Sequence, residues 1–231
     1  MPFTWTAQRI KWYLDASSHS SFHRRLAERL APFLRPEDSL CDLGCGLGRL
    51  DLLLAPRVSR ITCVDTDKAV LARLAEDARQ QGADHLSVQC CDARAVHGPF
   101  DVVLMSFFGY PPSLMLDCMS LARRRVIRIV HAGAGASHAG RPHKRRESAG
   151  DIARVLDAQG CRYQMLLESL EFGQPLASPA EGRAFMLANH PDMPPETAGA
   201  FLAEHLIETP HAEFPCYLQA KKELGIFIIE R

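Results

Sequence analysis

The sequence has no excess of either charge: 27 lysines and arginines stand against 27 aspartates and glutamates in 231 residues. A chain without a net field has no sequence-wide attraction for nucleic acid or an anionic membrane, so such partners must be argued from local clusters. An apolar run of the ~18 to 20 residues that a membrane span needs is also missing. The start of the chain, with Arg9 and Lys11 between Trp5 and Trp12, lacks the apolar core of a signal peptide. A cytoplasmic location is therefore expected. Among the eight cysteines (Cys41, Cys45, Cys63, Cys90, Cys91, Cys118, Cys161 and Cys216) there is no pair of Cys-x-x-Cys motifs. Several lie inside apolar strand-like runs, so reduced, buried thiols are expected, with neither disulfides nor a metal site. No internal repeat and no low-complexity segment is visible.

What is present is enough apolar sequence, 47% of residues, to build one sizeable domain with additions. Residues 4–35 read as two amphipathic helices, with Phe22, Leu26, Leu30 and Phe33 at three- and four-residue steps and Pro36 as a stop. From Ser39 the pattern alternates short apolar runs with helical ones. "SLCDLG", "RITCVD", "LSVQCCD", "FDVVLMSF" and "RRVIRIVH" are strands; "LGRLDLLLAPR", "DKAVLARLAEDARQQG" and "PPSLMLDCMSLAR" are helices. Alternation at this spacing implies a parallel sheet with helices on both faces, whose right-handed crossovers put every strand's C-terminal end on one edge. Ligands bind at that edge. After His131 a Gly-rich, basic stretch precedes the helix "SAGDIARVLDAQG" and two late strands, "CRYQMLLESLEF" and "LGIFIIER". Between those strands lie about 50 residues with the helical runs "PAEGRAFMLANH" and "PPETAGAFLAEHLIE". The expected organisation is an N-terminal helical cap (1–36), a ligand-binding core (37–173), a helical lid insertion (174–223) and a last core strand (224–231).

The first strand-turn-helix unit carries Asp42, Gly44, Gly46 and Gly48. A dinucleotide fingerprint needs its third glycine where Arg49 stands. Spaced as Asp-x-Gly-x-Gly-x-Gly after a strand, the segment instead resembles the first motif of class I S-adenosylmethionine-dependent methyltransferases. Asp65 at the end of the second strand and Asp92 at the end of the third fall in the same order as that family's acidic positions. The resemblance covers residues 38–131 and implies a doubly wound, mostly parallel seven-stranded Rossmann-like α/β sheet of order 3-2-1-4-5-7-6. It also implies S-adenosylmethionine as cofactor, with S-adenosylhomocysteine as product. Asp42, Gly44, Cys45, Gly46 and Gly48 would then form the cofactor turn, Asp65 meet the ribose, and Asp92 and Ala93 meet the adenine, with Thr66 also among the cofactor-binding residues. Ser106 would lie beside the cofactor, and Tyr13 would close over it.

Methyl transfer from a sulfonium asks the protein to align the acceptor and exclude water, and needs a general base only if the acceptor is protonated. Ser106, Tyr110 and His131 fall at strand ends on the cofactor side, and His131 has the pKa range of a base. A hydrogen-bonded histidine at a strand terminus would read the same way. Likewise Trp5, Trp12 and Tyr13 suit either a cofactor cover or helix packing. The segment Ser106-Phe107-Phe108-Gly109 is not the Asn/Asp-Pro-Pro-aromatic motif of amino-group nucleic-acid methyltransferases. The one basic cluster (His138, Arg141, His143, Lys144, Arg145 and Arg146) has no stacking aromatics among its residues. A small-molecule acceptor is expected, without nucleic acid or membrane. An RNA or protein methyltransferase and a non-catalytic cofactor-binding protein are the alternatives.

Overall fold

The computed structural model describes residues 4–108, 112–133 and 147–231; Tyr110 and the basic cluster lie outside them. Two helices, α1 (Ala7–His19) and α2 (Phe22–Leu30), precede the first strand, β1 (Ser39–Leu43). Then come α3 (Arg49–Leu54), β2 (Arg60–Asp65), α4 (Lys68–Gln80), β3 (Leu86–Cys90), β4 (Phe100–Ser106), α5 (Pro112–Met119) and β5 (Ala122–His131). The chain continues through α6 (Ala149–Ala158), β6 (Tyr163–Glu171), β7 (Gln174–Leu176), α7 (Pro179–Asn189) and α8 (Pro195–His205). It ends with β8 (Leu206–Glu208), β9 (Cys216–Leu218) and β10 (Lys221–Glu230).

Seven strands form one sheet in the order β3-β2-β1-β4-β5-β10-β6, parallel across its first five strands, with β10 antiparallel to β5. This is the doubly wound architecture and strand order expected, with β10 in the place of the seventh strand. The sequence of each strand follows from its position. All five residues of β1, at the sheet's centre, are buried, and so are Leu224–Ile229 of β10, because helices cover both faces. Burying each of Ile226, Phe227, Ile228 and Ile229 contributes about 1.5–3 kcal/mol. Helix ends are set by local chemistry: the Asp67 side chain accepts from the Ala69 amide at 2.9 Å to start α4, and Ser148 and Asp151 form a reciprocal cap on α6.

The chain divides into two compact units. The larger holds residues 23–133, 147–169 and 223–231; its core joins β1, β4, β5 and β10 to α5 and α6 through Val103, Met105, Met115, Val126, Ile152 and Phe227. A buried ion pair between Arg128 of β5 and Glu147 lies in this unit, where Arg128 Nη1 also donates to the Met105 carbonyl at 3.2 Å.

The smaller unit holds residues 4–22 and 170–222, so α1 belongs to it while α2 counts with the larger one. Its core is Trp12, Leu176, Phe185, Met186, Met193, Ala198, Leu202, Cys216 and Leu218. Trp12 is a packing residue: its ring meets Phe185 edge-on at 5.3 Å and its Nε1 donates to Glu181 at 3.0 Å. The two expected helices of this segment are α7 and α8. A three-stranded antiparallel sheet, β7-β9-β8, accompanies them. Its strands are three residues each, too short for alternation to register in a sequence. Among the described residues, no helix is long and apolar enough to cross a membrane.

Candidate functional site

The turn after β1 is anchored to the end of β2. The Gly44 and Cys45 amides both donate to the Val64 carbonyl, at 2.8 and 3.0 Å, and the Gly48 amide returns to the Cys45 carbonyl at 3.0 Å. Gly44 and Gly48 have φ of 76° and 61°, a backbone region that side chains with a Cβ resist. They are also close-packed. A Cβ on Gly44 would lie 2.2 Å from the Phe108 ring, and one on Gly48 would lie 2.3 Å from Leu74. Two of the three glycines are thus required by the protein's own packing as well as by any ligand. Phe108 and Leu74 leave no signal in the sequence that marks them for this role.

Asp65, half-buried at the end of β2, holds the turn from below. Its Oδ2 accepts from the Gly46 amide at 2.9 Å and its Oδ1 from the Asp67 amide at 3.0 Å. Each carboxylate oxygen has two lone pairs, so both keep acceptor capacity for a diol. Asp92 follows β3, and its Oδ1 accepts from the Arg94 amide at 2.9 Å, capping a short turn that contains the buried Ala93. Thr66 is exposed, and its carbonyl accepts from the Cys90 thiol at 3.6 Å.

Asp42 is buried behind the turn and faces a second carboxyl, Asp51 of α3, which is wholly buried. Neither Asp51 oxygen, nor Asp42 Oδ1, has a hydrogen-bond donor among the described residues. Two carboxylates cannot both be charged in such a place. Burial raises both pKa values, Asp42's well above the carboxylate range and Asp51's to about 6. A proton held between the two carboxyls relieves this repulsion, and the pair titrates as one unit. Besides its expected place in the cofactor turn, Asp42 has a protein partner that pattern reading missed. The signal was there in "RLDLLLA", where one acid interrupts a helix of buried leucines.

At the end of β4, Ser106 stands opposite Ile129 in the ladder with β5. The next residue, Phe107, has φ of 53° and is 40% exposed, a strained position for an aromatic residue and of the kind that functional sites retain. Its ring lies 5.1 Å from that of His131, the last residue of β5. The turn glycines, Asp65, Asp92, Ser106 and His131 thus share the C-terminal edge of the parallel strands in one unit. Tyr13 lies in the other unit, where its ring meets Trp5 at 5.4 Å and Phe172 at 5.8 Å. Tyr110 falls outside the described residues. Among the described residues, no group of three or more His, Cys, Asp or Glu side chains could hold a metal ion.

The donor set at this edge fits a cationic adenosine cofactor. A half-buried carboxylate with spare lone pairs suits a ribose diol, and the strand ends carry carboxylates where a phosphate-binding turn would carry open amides or cations.

Residues 40–128 match the family described as "Methyltransferase domain". The 23S rRNA (uracil(1939)-C(5))-methyltransferase of Chromohalobacter salexigens is 35% identical over 79 residues, which are 34% of this chain and 16% of that enzyme. The chain therefore spans about a sixth of that relative's length. The YcgJ protein of Bacillus subtilis superimposes with a TM-score of 0.63 at 13% identity, covering 90% of this chain and 99% of its own. The magnesium protoporphyrin IX methyltransferase of Synechocystis PCC 6803, solved with bound S-adenosylmethionine, gives 0.55 at 14% identity, covering all of this chain and 86% of its own. At these identities the likeness of the two solved structures is one of fold.

Proposed function

From residues 40–128, which match a methyltransferase-domain family, we propose that the chain is a class I S-adenosylmethionine-dependent methyltransferase that acts on a small-molecule acceptor at the C-terminal edge of its seven-stranded sheet. The observation that carries this reading is the character of that edge. The described strand ends present Asp65, Asp92, Ser106, Phe107 and His131, a set that welcomes a sulfonium and an ammonium and repels a polyphosphate. When bound, the cofactor supplies an activated methyl group on sulfur.

The chain's residues then bind, orient and exclude water. Asp65 accepts from the ribose hydroxyls while keeping the Gly46 amide, which ties cofactor binding to the shape of the turn. Asp92 and the Ala93 amide meet the adenine. Ser106 and the exposed Phe107 ring position the acceptor. His131 takes a proton at one ring nitrogen where the acceptor has one to lose. Tyr110 is a third candidate on the acceptor side.

Calorimetry tests the cofactor. S-adenosylmethionine is expected to bind the native protein, and Asp65→Ala to weaken it by about 1–3 kcal/mol through loss of charge-assisted hydrogen bonds. Absence of heat with the native protein at millimolar cofactor would overturn the reading.

An RNA acceptor is the second reading, favoured by the similarity to an rRNA methyltransferase and by the six-residue basic cluster. Mobility shifts with bulk RNA separate the two. The small-molecule reading expects none. Micromolar binding that fades between about 50 and 200 mM salt, and falls when Lys144, Arg145 and Arg146 become Ala, would make RNA the acceptor.

A further inference from the structure

The sheet ends at β6, a strand of nine residues whose far side pairs with no other strand among the described residues. Met165 and Leu167 on this strand are 42% and 64% exposed. The opposite edge, β3, is only five residues long. Proteins keep free edges short, charged or covered, because open backbone groups beside exposed apolar side chains recruit another strand. β6 is long and apolar, and its charges are placed in a particular way.

We propose that β6 is the seam of a homodimer, in which two copies pair their β6 strands antiparallel about a two-fold axis at Met165. The backbone fits this register. The Glu230 amide donates to the Arg162 carbonyl at 3.1 Å, so Arg162 turns its backbone groups toward β10. In an antiparallel ladder each residue points both groups to the same side and successive residues alternate. Tyr163, Met165, Leu167 and Ser169 therefore turn theirs outward. With the axis at Met165, an outward-facing residue meets an outward-facing residue at every step: Met165 meets the partner's Met165, and Tyr163 meets the partner's Leu167.

The side chains fit it too. Residues 163, 165 and 167 share one face, so the pairing lays Tyr163, Met165 and Leu167 of one copy against the partner's Leu167, the partner's Met165 and the partner's Tyr163 as one apolar stripe. On the other face Arg162 stands opposite the partner's Glu168, and symmetry makes this ion pair twice. Glu168 already receives Arg29 on its Oε1 at 2.7 Å, which holds the carboxylate in place and leaves Oε2 to accept. Moving the axis to Leu166 would set Glu168 opposite Gln164 and forfeit both ion pairs. The self-complementary charge pattern specifies a second copy of this chain at this register.

Sedimentation equilibrium on the full chain is the test. A mass of twice 25.7 kDa is expected at about 100 μM. Leu167→Lys, at a site already exposed, is expected to raise the dimer dissociation constant at least about tenfold without changing the melting curve at concentrations where the native chain is itself dissociated. Arg162→Glu and Glu168→Arg should each weaken the dimer, and the double exchange should restore it to within about threefold of the native chain. A monomer at about 100 μM would overturn the proposal. So would a dimer that Leu167→Lys leaves intact, or a double exchange that restores nothing.

Discussion

Gly44→Ala is expected to destabilise the protein by about 2–5 kcal/mol and to abolish cofactor binding. Two costs combine. At φ of 76° a residue with a Cβ is disfavoured by about 1–2 kcal/mol. The new methyl group would also stand 2.2 Å from Cγ and Cδ2 of Phe108 and 2.7 Å from its Cβ, so the ring or the turn must shift, at about 1–3 kcal/mol. A shift of the turn strains the Gly46–Asp65 hydrogen bond, and with it the carboxylate proposed to meet the ribose. Denaturant unfolding separates the two costs. Phe108→Ala opens the space but leaves the dihedral, so Gly44→Ala/Phe108→Ala should be less destabilised than the sum of the single variants by about 1–3 kcal/mol. A Gly44→Ala protein that melts with the native chain and still binds S-adenosylmethionine would show that the turn tolerates a side chain.

The second large effect concerns pH. Asp42 and Asp51 hold a proton in the folded state that an unfolded chain gives up near pH 4. A folded-state pKa raised above its unfolded value makes stability greatest at low pH and lowers it as pH rises. The decline from this pair should begin near the unfolded carboxylate value, run through about 6 for Asp51 and continue higher for Asp42. Cys41, Cys45, Cys63 and Asp65 are the other titratable groups that act on the pair, and none of them is cationic. Asp51→Asn removes one acid and supplies an amide donor to Asp42. At pH 8 the variant should be more stable than the native protein by about 1–3 kcal/mol, with little difference at pH 5. Thermal melts at both pH values are sufficient. An equal pH slope in the two proteins would mean that the pair does not titrate as a unit.

The parallel sheet was legible because it rests on signals repeated along the chain. β1, β2 and β4 are apolar runs joined by helical periods, which imply a parallel sheet with right-handed crossovers, while the strand order was an implication of the family resemblance. Asp65 and the three glycines were legible as a motif, since strand, turn and helix follow one another within a few residues. The partners of that motif were not. Phe108 lies 64 positions from Gly44 and Leu74 lies 26 from Gly48, and a phenylalanine or leucine at those places reads as ordinary core. Asp51 escaped for a different reason: an acid in a helix is expected to be solvated, and only the packed structure puts it against Asp42. The small β7-β9-β8 sheet escaped because three residues give no period.

The smaller unit is assembled from two pieces of chain that are far apart in sequence, residues 4–22 and 170–222. Its hydrogen bonds span that gap: Trp12 reaches Glu181 across 169 positions, and Gln174 reaches the Trp12 carbonyl across 162. On the ribosome α1 emerges early, yet the residues that bury Trp12 follow only after the central strands of the large sheet have been made. Until then α1 is a 13-residue helix with no partner for its apolar face, too short to hold its shape alone in water. A helix made before the large sheet is thus secured only after it, and a chain stalled before α7 would present Trp12 to whatever chaperone or protease arrives first.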